Sequence, residues 1–326
     1  MKNFFNCYEK DSFNESILDK RYIIQEKLGD GYTSEVHKVL DIYSGEIKVA
    51  KIFADGAISF FKKEEKIFKN ITELKISSNI RFFSSGFGPL TINGKTQQKC
   101  YIILEYGSKG NLFDKIEKTP NGFSESACKL ILFEIIKNVI ALHEKGICHR
   151  DIKPENILLV GDNYDIKLCD FGFSTYFLNK DNKKKKLKKR VGSTHYYAPE
   201  IAENKPYDGE KVDIFSIGSL LFVLMTKSYG FAEAKTFDFV ENESQRLYHL
   251  IKINKINEYW NIIEKTYKIK ILSPQFKQLF IKMIAYNPSE RPSFEDIMNS
   301  EWMKEIKDAN DDYLKQLRIK MISEMN

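Results

Sequence analysis

The sequence predicts an α+β fold, in which a small β-rich N-terminal lobe with one key helix precedes a larger, mainly helical C-terminal lobe. Segments of alternating apolar residues, separated by glycine turns, indicate strands within residues 21–106. The pattern becomes helical after Gly110, with an apolar stripe over residues 124–145 and a strongly apolar segment over residues 211–227. Two short apolar runs, at 157–160 and 166–169, flank a Gly-Asp-Asn turn and predict a β-hairpin between these helices.

The composition limits the class of protein. With 326 residues, of which 42% are hydrophobic and 29% charged, the chain is typical of a soluble globular protein. No apolar run approaches the ~20 residues of a membrane span, and the N-terminus lacks the apolar core of a secretory signal. Five scattered cysteines without a C-x-x-C pair indicate reduced thiols. We therefore expect a cytoplasmic protein, with the nucleus as the alternative, and no membrane contact.

The net charge of +6 raises the question of nucleic-acid binding. Seven positive charges come from the tract Lys183–Arg190 alone, so the rest of the chain carries a net charge of −1. Nucleic-acid-binding proteins present a basic face of the fold, and hence we expect no nucleic-acid partner. The tract is predicted to be a solvated, disordered loop, because like charges repel. An acidic partner and nuclear import are the functional alternatives.

The first strands surround a glycine turn. Residues 22–28 and 35–39 predict a hairpin around Gly29 and Gly31, whose missing Cβ atoms allow a close approach of backbone N–H groups to phosphate oxygens. The next strand, 46–53, contains two candidate phosphate-binding lysines. Lys51 has apolar neighbours and is expected to be buried with a partner, whereas Lys48 is predicted to face solvent.

The partner of Lys51 is expected on a helix over residues 60–74. Glu64 lies on the apolar face of this helix, whereas Glu65 lies one residue away from that face and is predicted to be solvated. Residues 75–99 are irregular apart from turns such as Asn93-Gly94, and a buried strand is predicted over 101–104. Residues 1–20 carry no motif and are predicted to form a loosely attached N-terminal leader.

The predicted hairpin brings chemically useful side chains to one end. Asp151 and Asn156 precede its first strand, and Asp170 follows its second. Hard oxygen ligands suit Mg²⁺, and a further carboxylate can accept a proton from a hydroxyl group. The sequence therefore predicts a divalent-metal and proton-transfer site at this end of the hairpin.

These residues resemble the H-R-D-x-K-x-x-N and D-F-G motifs of eukaryotic protein kinases. The glycine turn resembles the family's G-x-G-x-x-G-x-V, with Ser34 at the third glycine. Residues 192–200 resemble G-T-x-x-Y-x-A-P-E, and residues 213–218 resemble D-x-W-S-x-G, with Phe215 at the tryptophan position. The resemblance covers roughly residues 21–303 and is strongest to the calcium/calmodulin-dependent group. It implies the bilobal protein kinase fold.

The resemblance also implies the roles of the site residues. Asp151, Lys153 and Asn156 would be catalytic, and Asn156 and Asp170 would hold Mg²⁺. The residues that would bind ATP are Gly29, Gly31, Val36, Val49, Lys51, Glu64, Leu104 as the gatekeeper, Glu105, Gly107 and Leu158. Lys153 favours serine and threonine over tyrosine as acceptors, and Ser193 retains a hydroxyl that would bond to Asp151 and Lys153. Asn111 replaces a glutamate with which many family members meet substrate arginines.

Further residues have structural roles by the same resemblance. Asp213 would cap its helix and bind the backbone of the catalytic loop, and Glu200 would form a buried ion pair with Arg291. Arg150, next to the base, is typical of kinases that are switched by phosphorylation of the activation loop. His143 is predicted to be structural rather than a ligand.

The sequence therefore predicts a serine/threonine protein kinase that uses ATP and Mg²⁺ and acts on protein substrates, as a monomer. The alternative is a kinase-fold pseudokinase or scaffold. The expected domains are the leader 1–20, a catalytic domain 21–303 divided after residue 106, and a C-terminal tail helix 304–326. This tail is predicted to pack on the domain; autoinhibition and calmodulin binding are the alternatives.

Overall fold

The chain divides after Tyr106 into an N-terminal unit, Met1–Tyr106, and a C-terminal unit, Gly107–Asn326. The computed structural model describes residues 16–73, 79–179, 181–231, 234, 243–267 and 272–326. Most of the predicted leader and Leu74 of the predicted helix lie outside the described residues. Among the described helices, none is both long and apolar enough to cross a membrane.

The N-terminal unit is a closed six-stranded antiparallel barrel with the strand order β1-β2-β3-β4-β6-β5. Its strands and helix are β1 (Ile17–Leu18), β2 (Tyr22–Asp30), β3 (Ser34–Asp41), β4 (Ile47–Phe53), α1 (Ile58–Glu73), β5 (Phe82–Ile92) and β6 (Lys95–Glu105). Strand β1 pairs with both β2 and β5 and so closes the barrel. Residues 17 and 18 therefore belong to the sheet, and the prediction that they form part of a loose leader is wrong.

Alternation along the strands separates two faces of the barrel wall. Val39, Ala50, Ile52 and Ile103 belong to one buried apolar cluster inside the barrel. The residues between them, such as Val49 and Lys51, project from the opposite face, because side chains alternate with a period of two. This face carries the side chains that the sequence predicts to bind the nucleotide.

A long hairpin, β5–β6, occupies most of the segment that the sequence left irregular. Its turn is Asn93-Gly94, where both residues have positive φ (49° and 76°), as in the I′ turn that suits tight antiparallel hairpins. The turn was predicted, but only residues 101–104 were predicted as a strand. Lys95–Lys99 are mainly polar and exposed, so the apolar pattern that indicates a strand is absent there.

The C-terminal unit is mainly helical. Its helices are α2 (Leu112–Lys118), α3 (Glu125–His143), α4 (Pro199–Ala202), α5 (Gly209–Thr226), α6 (Glu243–Lys252), α7 (Ile256–Tyr267), α8 (Pro274–Met283), α9 (Phe294–Met298), α10 (Lys304–Lys307) and α11 (Asp311–Met325). Helix α3 begins where predicted, since the Ser124 side chain accepts a hydrogen bond from the Ala127 amide (3.3 Å). Helix α5 is apolar on all sides and almost wholly buried, as expected for a central core helix.

Short strands of the C-terminal unit support the loop that contains Asp151. Strand β7 (Ile147–Cys148) leads into the loop and pairs with β10 (Thr175–Tyr176). After a 3₁₀ turn, Pro154–Asn156, strands β8 (Ile157–Val160) and β9 (Asp165–Leu168) form the predicted hairpin. Asp151 and Asn156 therefore precede β8, and Asp170 follows β9, as the sequence predicts.

The C-terminal segment packs on the unit, as predicted, but it forms two helices rather than one. Leu317, Met321 and Met325 are buried at four-residue intervals along α11, which lies against α3. At its end, the Glu324 carboxylate accepts hydrogen bonds from the amide (2.8 Å) and the hydroxyl (2.6 Å) of Ser124. The tail thus stabilises the N-terminus of α3, where unpaired amides favour an anionic group.

Candidate active site

Four predicted nucleotide-binding residues of the N-terminal unit share one face of the barrel wall. Val36 pairs with Lys51 across β3 and β4, and Val49 pairs with Leu104 across β4 and β6. Residues paired across strands project to the same side of a sheet, as do residues two apart on one strand. The side chains of Val36, Val49, Lys51 and Leu104 therefore form a single surface, which is apolar apart from the lysine.

Lys51 and Glu64 form the predicted ion pair. The Lys51 Nζ atom lies 2.8 Å from Glu64 Oε1, and both residues are more than nine-tenths buried. Burying either charge alone would be costly, so the pairing holds helix α1 against β4 and fixes the position of the ammonium group. Glu65, predicted to be solvated, is partly buried and accepts hydrogen bonds from Ser85 and Lys69.

Lys48 does not face solvent, contrary to the prediction. It is 5% exposed, and its Nζ atom lies 2.6 Å from the carboxylate of Asp41, which also binds Arg21 (2.8 Å). The Arg21 hydrogen bond, supported by that of Lys48, holds the pKa of Asp41 well below its usual range despite burial. The two lysines of β4 are thus both buried, each with its own carboxylate, on opposite faces of the strand.

The glycine turn is a tight connection between β2 and β3. The Gly31 amide donates to the Ser34 carbonyl (2.7 Å), and a Cβ at Gly31 would lie 3.1 Å from Ser34 Oγ. Gly29 pairs with Val36 and has open space where a Cβ would be. Close packing therefore explains the glycine at position 31, whereas no contact with a described residue requires one at position 29.

Asp151 lies at the centre of a compact hydrogen-bond network in the C-terminal unit. Its Oδ1 atom accepts hydrogen bonds from the amide and the hydroxyl of Ser193 (both 2.9 Å), and Oδ2 accepts one from Asn156 Nδ2 (2.9 Å). Lys153 donates to Ser193 Oγ at 2.8 Å and lies 3.4 Å from Asp151 Oδ2. The structure therefore brings together the three residues predicted to be catalytic, with Ser193 as predicted.

The loop backbone rests on Asp213, which is completely buried. The Asp213 carboxylate accepts hydrogen bonds from the His149 and Arg150 amides (both 2.8 Å) and is 2.7 Å from His143 Nε2. Burial raises its pKa, but the hydrogen bond from His143, the electrostatic effect of His143 and His149, and the Arg150 amide together outweigh burial, so the pKa lies below its ordinary value. His143 is thus structural, as predicted.

The prediction that Asp213 caps its helix is wrong. Helix α5 begins at Gly209, and Asp208 is its N-cap, with a side chain that accepts from the Glu210 amide (2.9 Å). Asp213 therefore lies inside the helix, one turn past the cap, where its side chain is free to turn towards the loop backbone.

The backbone at the site adopts conformations that are uncommon for residues other than glycine. Arg150 and Asp170 have φ values of 67° and 58°, in the left-handed region. Gly192 has φ of 104°, and a Cβ there would lie 2.5 Å from the Arg150 carbonyl oxygen. The motif glycine before Ser193 is thus required by both the conformation and the close approach of two chain segments.

Arg150 has partners that the sequence did not reveal. Its guanidinium group donates to the Phe173 carbonyl (2.9 Å) and to the Tyr207 hydroxyl (2.8 Å), and Tyr207 donates to the Lys189 carbonyl (2.6 Å). Tyr207 is 57 residues from Arg150 in the chain and belongs to no recognised motif. Only the fold reveals that it joins the catalytic loop to the segment before Ser193.

The segment predicted to contact adenine spans both units. In the N-terminal unit, the Glu105 amide donates to the Arg81 carbonyl (2.9 Å). In the C-terminal unit, a Cβ at Gly107 would lie 3.3 Å from the Leu158 side chain, so these two predicted residues are in close contact. Asn111 caps helix α2 by accepting from the Asp114 amide (2.9 Å).

The basic tract has a defined backbone, and the prediction of disorder is wrong for residues 181–190. Leu187 is buried and forms a two-way backbone bridge with Tyr207, and the Lys185 amide donates to the Phe177 carbonyl (2.8 Å). One apolar residue in the middle of the basic run therefore anchors it to the fold.

Two long-range interactions complete the C-terminal unit. Arg291 forms the predicted ion pair with Glu200, through two hydrogen bonds of 2.7 Å, and its side chain is fully buried. Cys148, adjacent to the catalytic loop, is also buried, and burial raises the pKa of its thiol. This agrees with the interpretation of Cys148 as a small buried hydrophobic residue.

The donor atoms of the site are compatible with Mg²⁺. Asn156 uses its Nδ2 atom for Asp151, and within the described residues its Oδ1 atom accepts no hydrogen bond. Across the described part of the chain, no group of three or more His, Cys, Asp or Glu side chains is placed to hold a metal. Mg²⁺ usually takes only one or two protein carboxylates and completes its shell with phosphates and water, so a set of Asn156 and Asp170 fits it.

Comparison with known proteins gives one family. The model described as "Protein kinase domain" matches residues 22–303. The chain is 30% identical over 302 residues to CBL-interacting protein kinase 26 of Oryza sativa subsp. japonica. The aligned region covers 90% of this chain and 54% of that relative. It is 30% identical over 287 residues to the human SNF-related serine/threonine-protein kinase (87% and 33% covered). Calcium-dependent protein kinase 5 of Plasmodium berghei is 31% identical over 303 residues (91% and 48%). The chain thus spans between 33% and 54% of the length of these three relatives.

Proposed function

The chain belongs to the protein kinase family, and from this premise we propose that it is a serine/threonine kinase that transfers the γ-phosphoryl group of ATP to hydroxyl groups of protein substrates. The observation that carries the proposal is the network around Asp151. A carboxylate held by Ser193 and Asn156, with the Lys153 ammonium beside it, is suited to accept a hydroxyl proton next to a transferring anionic group.

Each proposed catalytic residue has a distinct role. Asp151 orients the acceptor hydroxyl and takes its proton, while Lys153 stabilises the negative charge of the transferring phosphoryl group. Asn156 and Asp170 hold Mg²⁺, which neutralises phosphate charge when it is bound. Because little covalent chemistry is needed, positioning and charge account for most of the catalysis.

The N-terminal unit is proposed to bind the nucleotide. Lys51, fixed by Glu64, contacts its phosphates, and the glycine turn at Gly29 and Gly31 covers them with backbone N–H groups. The apolar surface of Val36, Val49 and Leu104 packs on the adenine ring. By the family resemblance, Glu105, Gly107 and Leu158 are also proposed to contact adenine.

Serine and threonine are the proposed acceptors. This rests chiefly on Lys153, with Ser193 as weaker support. The retention of Lys51, Glu64, Asp151, Lys153, Asn156 and Asp170 favours an active enzyme over a pseudokinase or scaffold, because no charge needed for the chemistry is missing.

The test is incorporation of radiolabelled phosphate from ATP and Mg²⁺ into generic protein substrates. We expect Asp170→Ala to lower incorporation by at least about 100-fold, because a metal ligand is lost. Asp162→Ala is the matched control: it removes an exposed carboxylate from the turn of the same hairpin, and incorporation should be unchanged. A melting curve of Asp170→Ala checks that it is folded. Equal incorporation by wild type and Asp170→Ala would refute the catalytic proposal and favour the scaffold.

A further inference from the structure

The strongest unassigned feature of the C-terminal unit is the basic tract, Lys183–Arg190. Every residue of the tract except Leu187 is exposed. Lys184 forms an ion pair with Glu210, which ties this one lysine to helix α5. The ammonium groups of the remaining lysines in the first part of the tract have no ion-pair partner among the described residues: Lys183, Lys185, Lys186 and Lys188.

The backbone beneath these lysines is fixed at several points. Leu187 and Tyr207 exchange backbone hydrogen bonds of 2.8 Å in both directions, and the Asn179 amide donates to the Lys183 carbonyl (2.9 Å). The Tyr207 hydroxyl donates to the Lys189 carbonyl. A tract held in this way presents its positive charges at defined positions, and less conformational entropy is lost when a ligand binds it.

A cluster of like charges without internal partners is energetically unfavourable by itself. Adjacent ammonium groups repel one another, and a ligand with carboxylates or phosphates relieves this repulsion. The nearby carboxylates only partly offset the charge: Glu210 is used by Lys184, and Asp181 is the one acidic residue beside the tract in sequence. The tract therefore favours an anionic partner.

The tract lies close to the proposed phosphoryl-acceptor position. Lys188 is five residues before Ser193, whose hydroxyl bonds to Asp151. Five residues span at most about 18 Å, and an extended peptide covers the same distance in about five residues. If the acceptor hydroxyl of a substrate peptide is bound at Asp151, acidic side chains within about five positions of it in the peptide can thus reach Lys188. Acidic side chains farther along the peptide can reach Lys183–Lys186.

Two other ligands are less well supported. A nucleic acid would be expected to meet a basic face, but outside the tract the chain has a net charge of −1. A basic substrate would need exposed carboxylates beside the catalytic loop, and Glu155 is the exposed carboxylate within that loop. Against this one carboxylate there are at least four ammonium groups that have no ion-pair partner among the described residues, so the local net charge favours acidic substrates.

We infer that the basic tract binds acidic side chains of the protein substrate and so selects serine or threonine residues in acidic segments. This inference rests on the proposed kinase function. Since the pairs are exposed, each contributes little, and the preference comes from several pairs acting together and weakens with salt.

The test compares serine peptides that differ only in their flanks: several glutamates, several arginines, or uncharged residues. The variant K183Q/K185Q/K186Q/K188Q removes the unpaired charges. The matched control K118Q/K145Q/K265Q/K304Q removes the same number of exposed lysines elsewhere in the C-terminal unit. For each protein, kcat/KM is measured at about 50 mM and about 300 mM salt.

We expect wild type to prefer the glutamate peptide, and the tract variant to lose about tenfold in kcat/KM on it, mainly through KM. The uncharged peptide should be affected little, the control variant should behave as wild type, and high salt should reduce the difference. A preference for arginine peptides, which would point to Glu155, or an acidic preference that survives in the tract variant, would overturn the inference.

A measurement of peptide binding tests this inference independently of the proposed kinase activity. If wild type phosphorylates no peptide, the kinase proposal fails, and fluorescence anisotropy of the labelled glutamate peptide still decides whether the tract binds acidic segments. Binding lost in the tract variant and kept in the control would support the tract. Equal binding by both variants, or tighter binding of a single-stranded oligonucleotide of the same charge, would refute it.

Discussion

Asp213→Asn tests whether one buried carboxylate supports the catalytic loop. The substitution keeps the shape of the side chain but replaces one oxygen by an NH₂ group. In wild type the carboxylate accepts hydrogen bonds from His149 N, Arg150 N and His143 Nε2. In Asp213→Asn, only one oxygen remains for these three donors, so at least one buried N–H faces another donor.

The expected cost follows from these lost hydrogen bonds. An unsatisfied buried donor costs about 1–3 kcal/mol, and hydrogen bonds to a charged group are stronger than hydrogen bonds to a neutral group. We therefore expect Asp213→Asn to lower the free energy of unfolding by about 2–5 kcal/mol. This is a large part of the ~5–15 kcal/mol typical of a domain. Activity should also fall, because the His149 and Arg150 backbone positions Asp151.

Urea unfolding measures this cost, with Asp208→Asn as the matched control. Asp208 caps the same helix, and asparagine is about as good an N-cap as aspartate, so the control should change stability by less than ~0.5 kcal/mol. A midpoint for Asp213→Asn that equals that of Asp208→Asn would refute the supporting role of the carboxylate.

The pH dependence provides a second test of Asp213. Its folded pKa is lowered, because the hydrogen bonds and the electrostatic effect of the neighbouring histidines outweigh its burial. A lowered folded pKa stabilises the protein above the unfolded pKa, about 3.9, and this stabilisation is lost as the pH falls through the folded pKa. The difference in the free energy of unfolding between wild type and Asp213→Asn should therefore be largest near pH ~7 and decrease at acidic pH. A difference that grows below pH ~4 would contradict this reasoning.

Three further substitutions address other parts of the structure. Glu200→Ala leaves the buried Arg291 guanidinium without its carboxylate and should cost about 3–5 kcal/mol in urea unfolding. Asp41→Asn weakens the buried contact of Lys48 and should cost about 1–3 kcal/mol near pH 7. Since the Asp41 pKa is lowered, this cost should decline as the pH falls below ~4. Met321→Ala should cost about 2–5 kcal/mol in thermal or urea unfolding, because it opens a cavity between α11 and α3.

Matched controls make these results decisive. Glu290→Ala and Asp30→Asn alter exposed carboxylates and should be nearly neutral. Ile319→Ala, on the exposed side of α11 with 69% of its surface accessible, should cost less than ~1 kcal/mol. Equal effects of Met321→Ala and Ile319→Ala would show that α11 does not pack on α3 in solution.

Several features could be predicted from local patterns. The β8–β9 hairpin, the glycine turn, the Ser124 N-cap and the Lys51–Glu64 pair were all expected, and the structure contains them. For the hairpin, the turn and the N-cap, the signal lies in a few neighbouring residues. The Lys51–Glu64 pair was expected from the family resemblance, and helix periodicity selected Glu64 over Glu65. The family was likewise predictable, because its motifs combine fixed residue types with fixed spacing.

Errors arose where partners are far apart in the chain. Lys48 looks exposed from its alternation with Lys51, but β3 brings Asp41 beside it. Strand β1 has only two residues, Ile17 and Leu18, which is too short for an alternating pattern, and it pairs with both β2 and β5. The basic tract is held by Leu187, which can anchor it only because the backbone of Tyr207 lies opposite and pairs with it.

The sequence by itself determined the family, the order of the motifs along the chain and the identity of the charged residues that phosphoryl transfer would need. Those depend on residue type and spacing, which are properties of the chain. Only the tertiary structure decided which charges are buried, that Tyr207 links Arg150 to the segment before Ser193, and that the tract has a defined backbone. The physical reason is that burial and pairing depend on which distant segments meet, and a local pattern does not encode its partner.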